Sequence, residues 1–438
     1  MKVTLPWGKE KITVEVPDTW NMIFPKERGK AKKQTGTEAN IVKKSLQEPV
    51  ETCPLNKMKL RGKRIIIVVD DNTRPTPAHK FMHVILDALE KAGATMKKVT
   101  IIPALGIHTQ MTEEEMAEKV GAKNLKKVKW ENHDAFDEGL NRFFGNTSRG
   151  TPVYLNTAIG DADLVISVGV VEPHLWAGFG GGMKNILPGV AASSTIGTHH
   201  SIIAEPPYQF NRVGMEPSEN SFRQDLEEIR GMIKAEVFCV NVILDHQKNI
   251  IASFAGDPIK CHRAAIEFDK NHAGVILKEQ VDGIICNSNP MDINFKQSMK
   301  CVGNSLPALK PGGTVMAFMK AERGLDDIPM PEDSKPLWLV KTILRLLGPA
   351  RVLGFLEKVK PGLDVEQKFL TYYSMQLIRA HELCFYVPTL SDEEVKALGF
   401  FERFDDPQGV IDRAVKKLGK KATVAVFPNG GVTFPIVG

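Results

Sequence analysis

The chain has 438 residues, 42% of them hydrophobic and 25% charged, with a formal net charge of +5. That length favours two α/β domains over one, and the composition is that of a globular protein rather than a fibrous or disordered one. The small positive charge suits small anionic ligands and gives no argument for nucleic acid.

The opening segment reads as a hairpin, KVTLPW then KITVEVP, with Gly8, Lys9 and Glu10 at the bend. It lacks the apolar core of a signal peptide, and no apolar run approaches membrane-spanning length, so a soluble, cytoplasmic protein is expected. The basic run KERGKAKK, residues 26–33, reads as a solvated loop, and a short helix is expected over Thr37–Leu46. RIIIVVDD is a continuous β-branched run of the kind that suits a buried parallel strand. In the following TPAHKFMHVILDALEKAG, Phe81, Val84, Ile85, Ala88 and Leu89 fall at helical spacing and Gly93 suits the stop. VTIIPALG completes a β-α-β unit.

Residues 162–171 form a third strand candidate, and 237–245 with IIASFAG suggest an antiparallel pair. VDGIICNSNP begins a second β-α-β run, with a helix from about Asn294, then LKPGG and the strand TVMAFM. The fold class is therefore α/β: two domains, each with a mainly parallel sheet flanked by helices, and the active site in the cleft at the strand C-terminal ends. Residues 1–272 form the expected N-terminal domain and 273–419 the C-terminal one, with 420–438 as a strand segment returning to the first. Six scattered cysteines, Cys53, Cys239, Cys261, Cys286, Cys301 and Cys384, with no CxxC pair, fit reduced thiols.

Ligands of doubly wound sheets bind beyond the strand ends. Past the predicted strands lie Asp70-Asp71-Asn72-Thr73-Arg74; Ile107-His108; Glu172-Pro173-His174 and the glycine loop to Lys184; and Asn287–Asn294, followed by Gln297 and Lys300 on one helix face. Singly, each is also an ordinary polar turn: DDNTRPTP reads as a helix start capped by Thr73 or Thr76, and His199-His200 as a surface pair of which at most one is a metal ligand. Together they are hard to explain by solvation alone. The loop GFGGGMKN is not a phosphate cradle. Met183 stands where a Walker loop needs glycine, Asn185 where it needs a hydroxyl, and Met183 also breaks GxGxxG. The role left for its glycines is close approach of backbone to a bulky ligand.

DNTRPTP, Gly106-Ile107-His108, EPHLWAGFGGGMKNILPG, a histidine sixteen residues past Lys184, and PMDINFKQSMK together resemble the lactate racemase family, from the N-terminal hairpin to NGGVTFP. The resemblance implies a 2-hydroxy acid racemase or epimerase using a nickel-pincer nucleotide. It makes Lys184 the covalent anchor, His200 the nickel ligand, and His108 and His174 the acid/base pair. Asp71, Arg74, Gln297, Lys300 and Trp176 are implied near substrate and cofactor. The implied partners are a small 2-hydroxy acid and the proteins that build and load the cofactor, with no nucleic acid and no membrane. Where many members carry arginine after the first catalytic histidine, this chain has Thr109 and then Gln110, so lactate is not assumed. Two other readings compete. One is a zinc hydrolase using His108, His174 and His200 with Asp71. The other is a non-catalytic binder of small organic anions, with Arg74 and Lys300 as the clamp.

Overall fold

Two six-stranded sheets organise the chain in a computed structural model, which describes residues 1–25, 33–203, 213–245, 247–326, 336–359 and 365–437. The run KERGKAKK falls almost wholly outside the described residues. The first sheet runs, in spatial order, Ile250–Gly256, Glu236–Leu244, Leu164–Val170, Ile65–Asp70, Val99–Ala104 and Lys129–Trp130. All its neighbours are parallel except the first pair, which is antiparallel as its spacing predicts. Ile65–Asp70 and Leu164–Val170 are buried at every position, because helices and loops cover both faces of the sheet.

The second sheet is parallel throughout, in the order Glu402–Phe404, Glu382–Tyr386, Leu309–Phe318, Val281–Asn287, Thr423–Phe427 and Asn21–Ile23. The N-terminal hairpin forms as read, Lys2–Trp7 against Glu10–Glu15. Its Val3, Leu5 and Val14 pack with Ile285, Met316 and Phe318 of the second sheet. The hairpin and the Asn21–Ile23 strand thus sit with the second sheet, not with the first, where the expected 1–272 unit would put them. At the other end, Thr423–Phe427 also joins the second sheet rather than the first. Phe434–Val437 pairs in parallel with Gly274–Leu277, and the Phe434 ring lies 5.5 Å from that of Phe179 in the first half.

Three local expectations change. Thr73 and Thr76 cap no helix: Thr73 Oγ donates to Asp71 and Thr76 Oγ to Asp70. The helix itself begins later, at Met82–Lys91, after a 3₁₀ turn over Ala78–Lys80. The Asn294 helix starts where predicted, with the Asn294 side chain accepting from Gln297 N. It breaks at Met299, however, into Phe295–Ser298 and Lys300–Ser305, so Gln297 and Lys300 do not share one continuous helix. Among the described residues, no helix is long and apolar enough to cross a membrane.

Candidate active site

The Ile65–Asp70 strand ends in two carboxylates with different duties. Asp70 is buried and pairs with the Lys119 ammonium at 2.7 Å. Lys119 Nζ also donates to the carbonyls of Asp71 and Arg74, at 2.7 and 3.1 Å, and so fixes the turn. Burial raises the Asp70 carboxyl above the usual carboxylate range, against the pull of Lys119.

Asp71 faces the other way. Its Oδ2 lies 2.7 Å from His108 Nδ1, while Oδ1 accepts from Thr73 N and Oγ at 3.2 and 2.6 Å. Burial pushes Asp71 up, but the His108 contact, Thr73 and the Arg74 charge together hold it below its ordinary value. An ionised carboxylate only accepts, so His108 carries its proton on Nδ1 and presents the Nε2 lone pair.

His174 has the opposite tautomer. Its Nδ1 accepts from the backbone N–H groups of Trp176 and Ala177, at 3.2 and 3.3 Å, so the proton of the neutral ring is on Nε2. Burial, then the charges of Lys184, Arg74 and Lys300, keep this ring neutral to well below the usual histidine range.

Glu172 joins the two halves of the molecule. Its Oε1 is 3.8 Å from Arg74 and 3.4 Å from Lys300 Nζ, which comes from the second half. Burial opposes its ionisation, but Lys300, Arg74 and Lys184 more than offset that. Burial also lowers Lys300, against Glu172. Gln297 is half-buried one turn away, and among the described residues its side-chain amide makes no hydrogen bond.

Lys184 lies on the 3₁₀ turn Gly182–Asn185, and among the described residues its Nζ makes no hydrogen bond or ion pair. Burial, then the Arg74 and Arg223 charges, hold the amine well below an ordinary lysine. The glycines before it have close protein neighbours of their own, which account for them without a ligand. A Cβ on Gly181, whose φ is +72°, would stand 2.7 Å from Val171 Cγ2 and 2.9 Å from Asn241 Oδ1. The close approach is to the protein itself.

Of the adjacent histidines, His199 is fully buried and bonded through Nδ1 to Asp225 at 2.8 Å. His200 Nδ1 donates to Ile196 O at 2.8 Å, which leaves the Nε2 lone pair as a donor for a metal. The Trp176 ring stands edge-on between His174 and His200, which lies on the helix Ser193–Ser201, with its centroid 4.9 Å from that of His200 and 6.1 Å from that of His174.

Sequence reasoning named these residues but gave no role to Glu172, and it missed Lys119, Arg223 and Asp225. For Glu172 there was a signal: a carboxylate two residues before His174 at a strand end. Lys119 sits on a helix whose other polar residues are exposed or half-buried, and Arg223 among the charged residues of SFRQDLEE, so nothing local marks either as buried.

Fold and site together define a two-sheet α/β protein that gathers a lysine amine shifted by burial, two further cations and several imidazoles near its strand ends. Residues 7–210 match the family model described as the lactate racemase N-terminal domain. The lactate racemase of Thermoanaerobacterium thermosaccharolyticum is 31% identical over 327 residues, spanning 74% of this chain and 75% of that protein. That of Lactiplantibacillus plantarum is 30% identical over 331 residues, with the same two shares. The structure of the T. thermosaccharolyticum lactate racemase apoprotein superposes with a TM-score of 0.81 at 25% identity, covering all of both chains. A Thermotoga maritima protein shares the fold, with a TM-score of 0.64 at 16% identity over 93% of this chain and all of that one. The chain belongs to the lactate racemase family.

Proposed function

We propose that the protein inverts C2 of a small 2-hydroxy acid, with Lys184 as the covalent anchor of a nickel-pincer nucleotide and His200 as a ligand to its nickel. The observation that carries this reading is the Lys184 amine, which burial holds well below an ordinary lysine, which makes no hydrogen bond or ion pair among the described residues, and whose charge bears on His174 and His200. The residues fit that group: a free nucleophilic amine suits covalent attachment, and the oriented His200 supplies one imidazole ligand. When bound, the cofactor supplies the acceptor and donor of hydride at C2.

The protein's own part is orientation and proton transfer. The C2 hydrogen is too weakly acidic for simple deprotonation, so it departs as hydride while the hydroxyl loses its proton. His108 Nε2 has the lone pair to take that proton, and Asp71 stabilises the imidazolium that results. His174 Nε2–H is the hydrogen-bond donor to the substrate oxygen, and the His108 imidazolium gives its proton back to that oxygen once C2 is reduced on the opposite face. Arg74 and Lys300, already gathered on Glu172, are the cations for the substrate carboxylate. The proteins that build the nucleotide act before any of this. Thr109 and Trp176 leave the identity of the acid to experiment.

The two competing readings account for less. A zinc hydrolase needs three ligands to converge, and among the described residues no group of three His, Cys, Asp or Glu side chains could hold a metal. An anion-binding protein leaves the lowered, unpartnered Lys184 amine without a use. The test is production alongside the cofactor-building enzymes, then peptide mapping, nickel analysis and chiral chromatography of candidate 2-hydroxy acids. A Lys184 adduct with nickel and inversion of one acid are expected. An unmodified chain that binds zinc, or one that binds anions without turnover, overturns the proposal.

A further inference from the structure

Behind Glu172 lies a cavity of about 50 Å³ at the seam of the two halves. Glu172 and Asp269 both line it, and Met291 and Val432 close it from the second half. That is room enough for a small polar group such as a carboxylate. Asp269, on the helix Lys260–His272, is 3% exposed, and among the described residues its Oδ2 has no hydrogen-bond partner. Buried polar atoms normally have one. Burial, then the Glu172 charge, push the Asp269 carboxyl well above the ordinary range, so it keeps its proton where an exposed carboxyl has lost it. In that form it is a hydrogen-bond donor, and a carboxylate is a strong acceptor for it.

On its other side Glu172 is held loosely. Its contacts with Arg74 and Lys300 are 3.8 and 3.4 Å, against about 2.7–2.9 Å for a full charge-assisted hydrogen bond. The two cationic side chains remain 25% and 22% exposed, so an anion from solvent can reach them. A substrate carboxylate bound for these cations therefore meets a resident carboxylate, and like charges in one place repel.

We propose that substrate binding is a carboxylate exchange, in which the incoming carboxylate takes Arg74 and Lys300 while Glu172 turns into the cavity behind it and accepts a hydrogen bond from the Asp269 carboxyl. The proton stays on Asp269. Asp269 is thus a positioning residue that acts on the substrate only through Glu172. This rests on the reading of Arg74 and Lys300 as the substrate clamp, but not on the cofactor or on inversion at C2. Other charged and titratable groups face the same place. Asp245, Lys248 and His272 line the cavity, and Lys184 bears on Glu172. Asp245 is committed to the N–H groups of Gln247 and Asn249, each at 2.9 Å. None of these groups is altered in the test, so a difference between wild type and D269N belongs to Asp269.

The experiment is calorimetric titration of the full-length, cofactor-free protein with glycolate, the smallest 2-hydroxy acid, over a pH series. E172Q should bind glycolate at least about tenfold more tightly than wild type, because the competing charge is gone. D269L, which has no donor, should bind about tenfold more weakly at pH 6. D269N keeps a donor without a titrating proton and should match wild type there. As pH rises, wild-type affinity should fall relative to D269N, because an ionised Asp269 cannot donate and repels Glu172. In E172Q the effect of D269L should largely disappear. Should D269L fail to fold, E172Q and D269N carry the test. Binding no tighter in E172Q than in wild type overturns the proposal. So does a folded D269L that binds like wild type, a D269L loss undiminished beside E172Q, or a wild-type affinity that tracks D269N at every pH. The titrations need neither cofactor nor turnover, whereas the racemase reading fails on an unloaded or inactive chain, so the two failures are told apart.

Discussion

The two imidazoles proposed as acid and base have unlike partners. His108 leans on a carboxylate and His174 on two backbone amides. Backbone amides cannot be removed by substituting a side chain, so only the tautomer of His108 can be altered in this way. D71N should leave the ring in place but lose the preference for Nδ1–H, cutting the turnover number of the loaded enzyme at least about a hundredfold. H108A and H174A should each cost about 10²–10⁴-fold in turnover with unchanged circular dichroism. A D71N enzyme with full turnover would remove Asp71 from the proton path. Lys184→Ala should abolish the mass adduct and leave the thermal midpoint near wild type, because its Nζ holds nothing in place.

Among the elements, the strands were legible and the loop that matters most was half legible. RIIIVV and ADLVISVGVV announce buried parallel strands because both faces are covered and no polar alternation is needed. From there the position of every strand-end residue follows. What a strand cannot announce is its distant partner. Glu172 meets Lys300 across 128 positions, and Arg223 meets Gly181 across 42. An arginine within SFRQDLEE looks like any surface arginine. Periodicity likewise overran the start of the Met82–Lys91 helix, because Thr73 and Thr76 were already committed to Asp71 and Asp70. The glycines were seen, but their neighbours were misjudged. G181A tests the corrected view. At φ 72° and ψ −170° the backbone is open essentially to glycine alone, so a side chain there costs about 1–3 kcal/mol, and the new methyl must also displace Val171. Its urea midpoint should fall even in protein that has never met the cofactor. A loss seen only in loaded protein would favour a ligand as the neighbour instead.

For the whole molecule, buried histidines set the response to acid. Burial lowers His133, His174 and His262, the last two well below the ordinary value. The unfolded chain therefore takes up protons first as pH falls through about 6.5, and stability is lost in that direction. Each proton of difference contributes a slope of about 1.4 kcal/mol per pH unit. Asp70, Asp269 and Asp292, raised mainly by burial, work with the opposite sign, losing stability as pH rises above the unfolded carboxylate value. With His199, His200 and His381 also lowered, the histidines outnumber these carboxylates among the described residues. Urea midpoints should drop between pH 7 and pH 5, and a flat or rising profile there would contradict the neutral, buried assignment of these rings.

The Asn21–Ile23 strand pairs with Thr423–Phe427 at one edge of the second sheet, so neighbouring strands there lie about 400 positions apart in the chain. On a ribosome, where the chain emerges from its N-terminus, these two pieces cannot meet until residues 423–427 have been made. The first sheet, complete by Gly256, is under no such delay, and it carries the Lys184 loop with Arg223 already beneath it. Lys300, which reaches back to Glu172, arrives afterwards. Translation thus sets an order: the strands of the first sheet and the Lys184 loop are made before the residue that ties Glu172 to the second half.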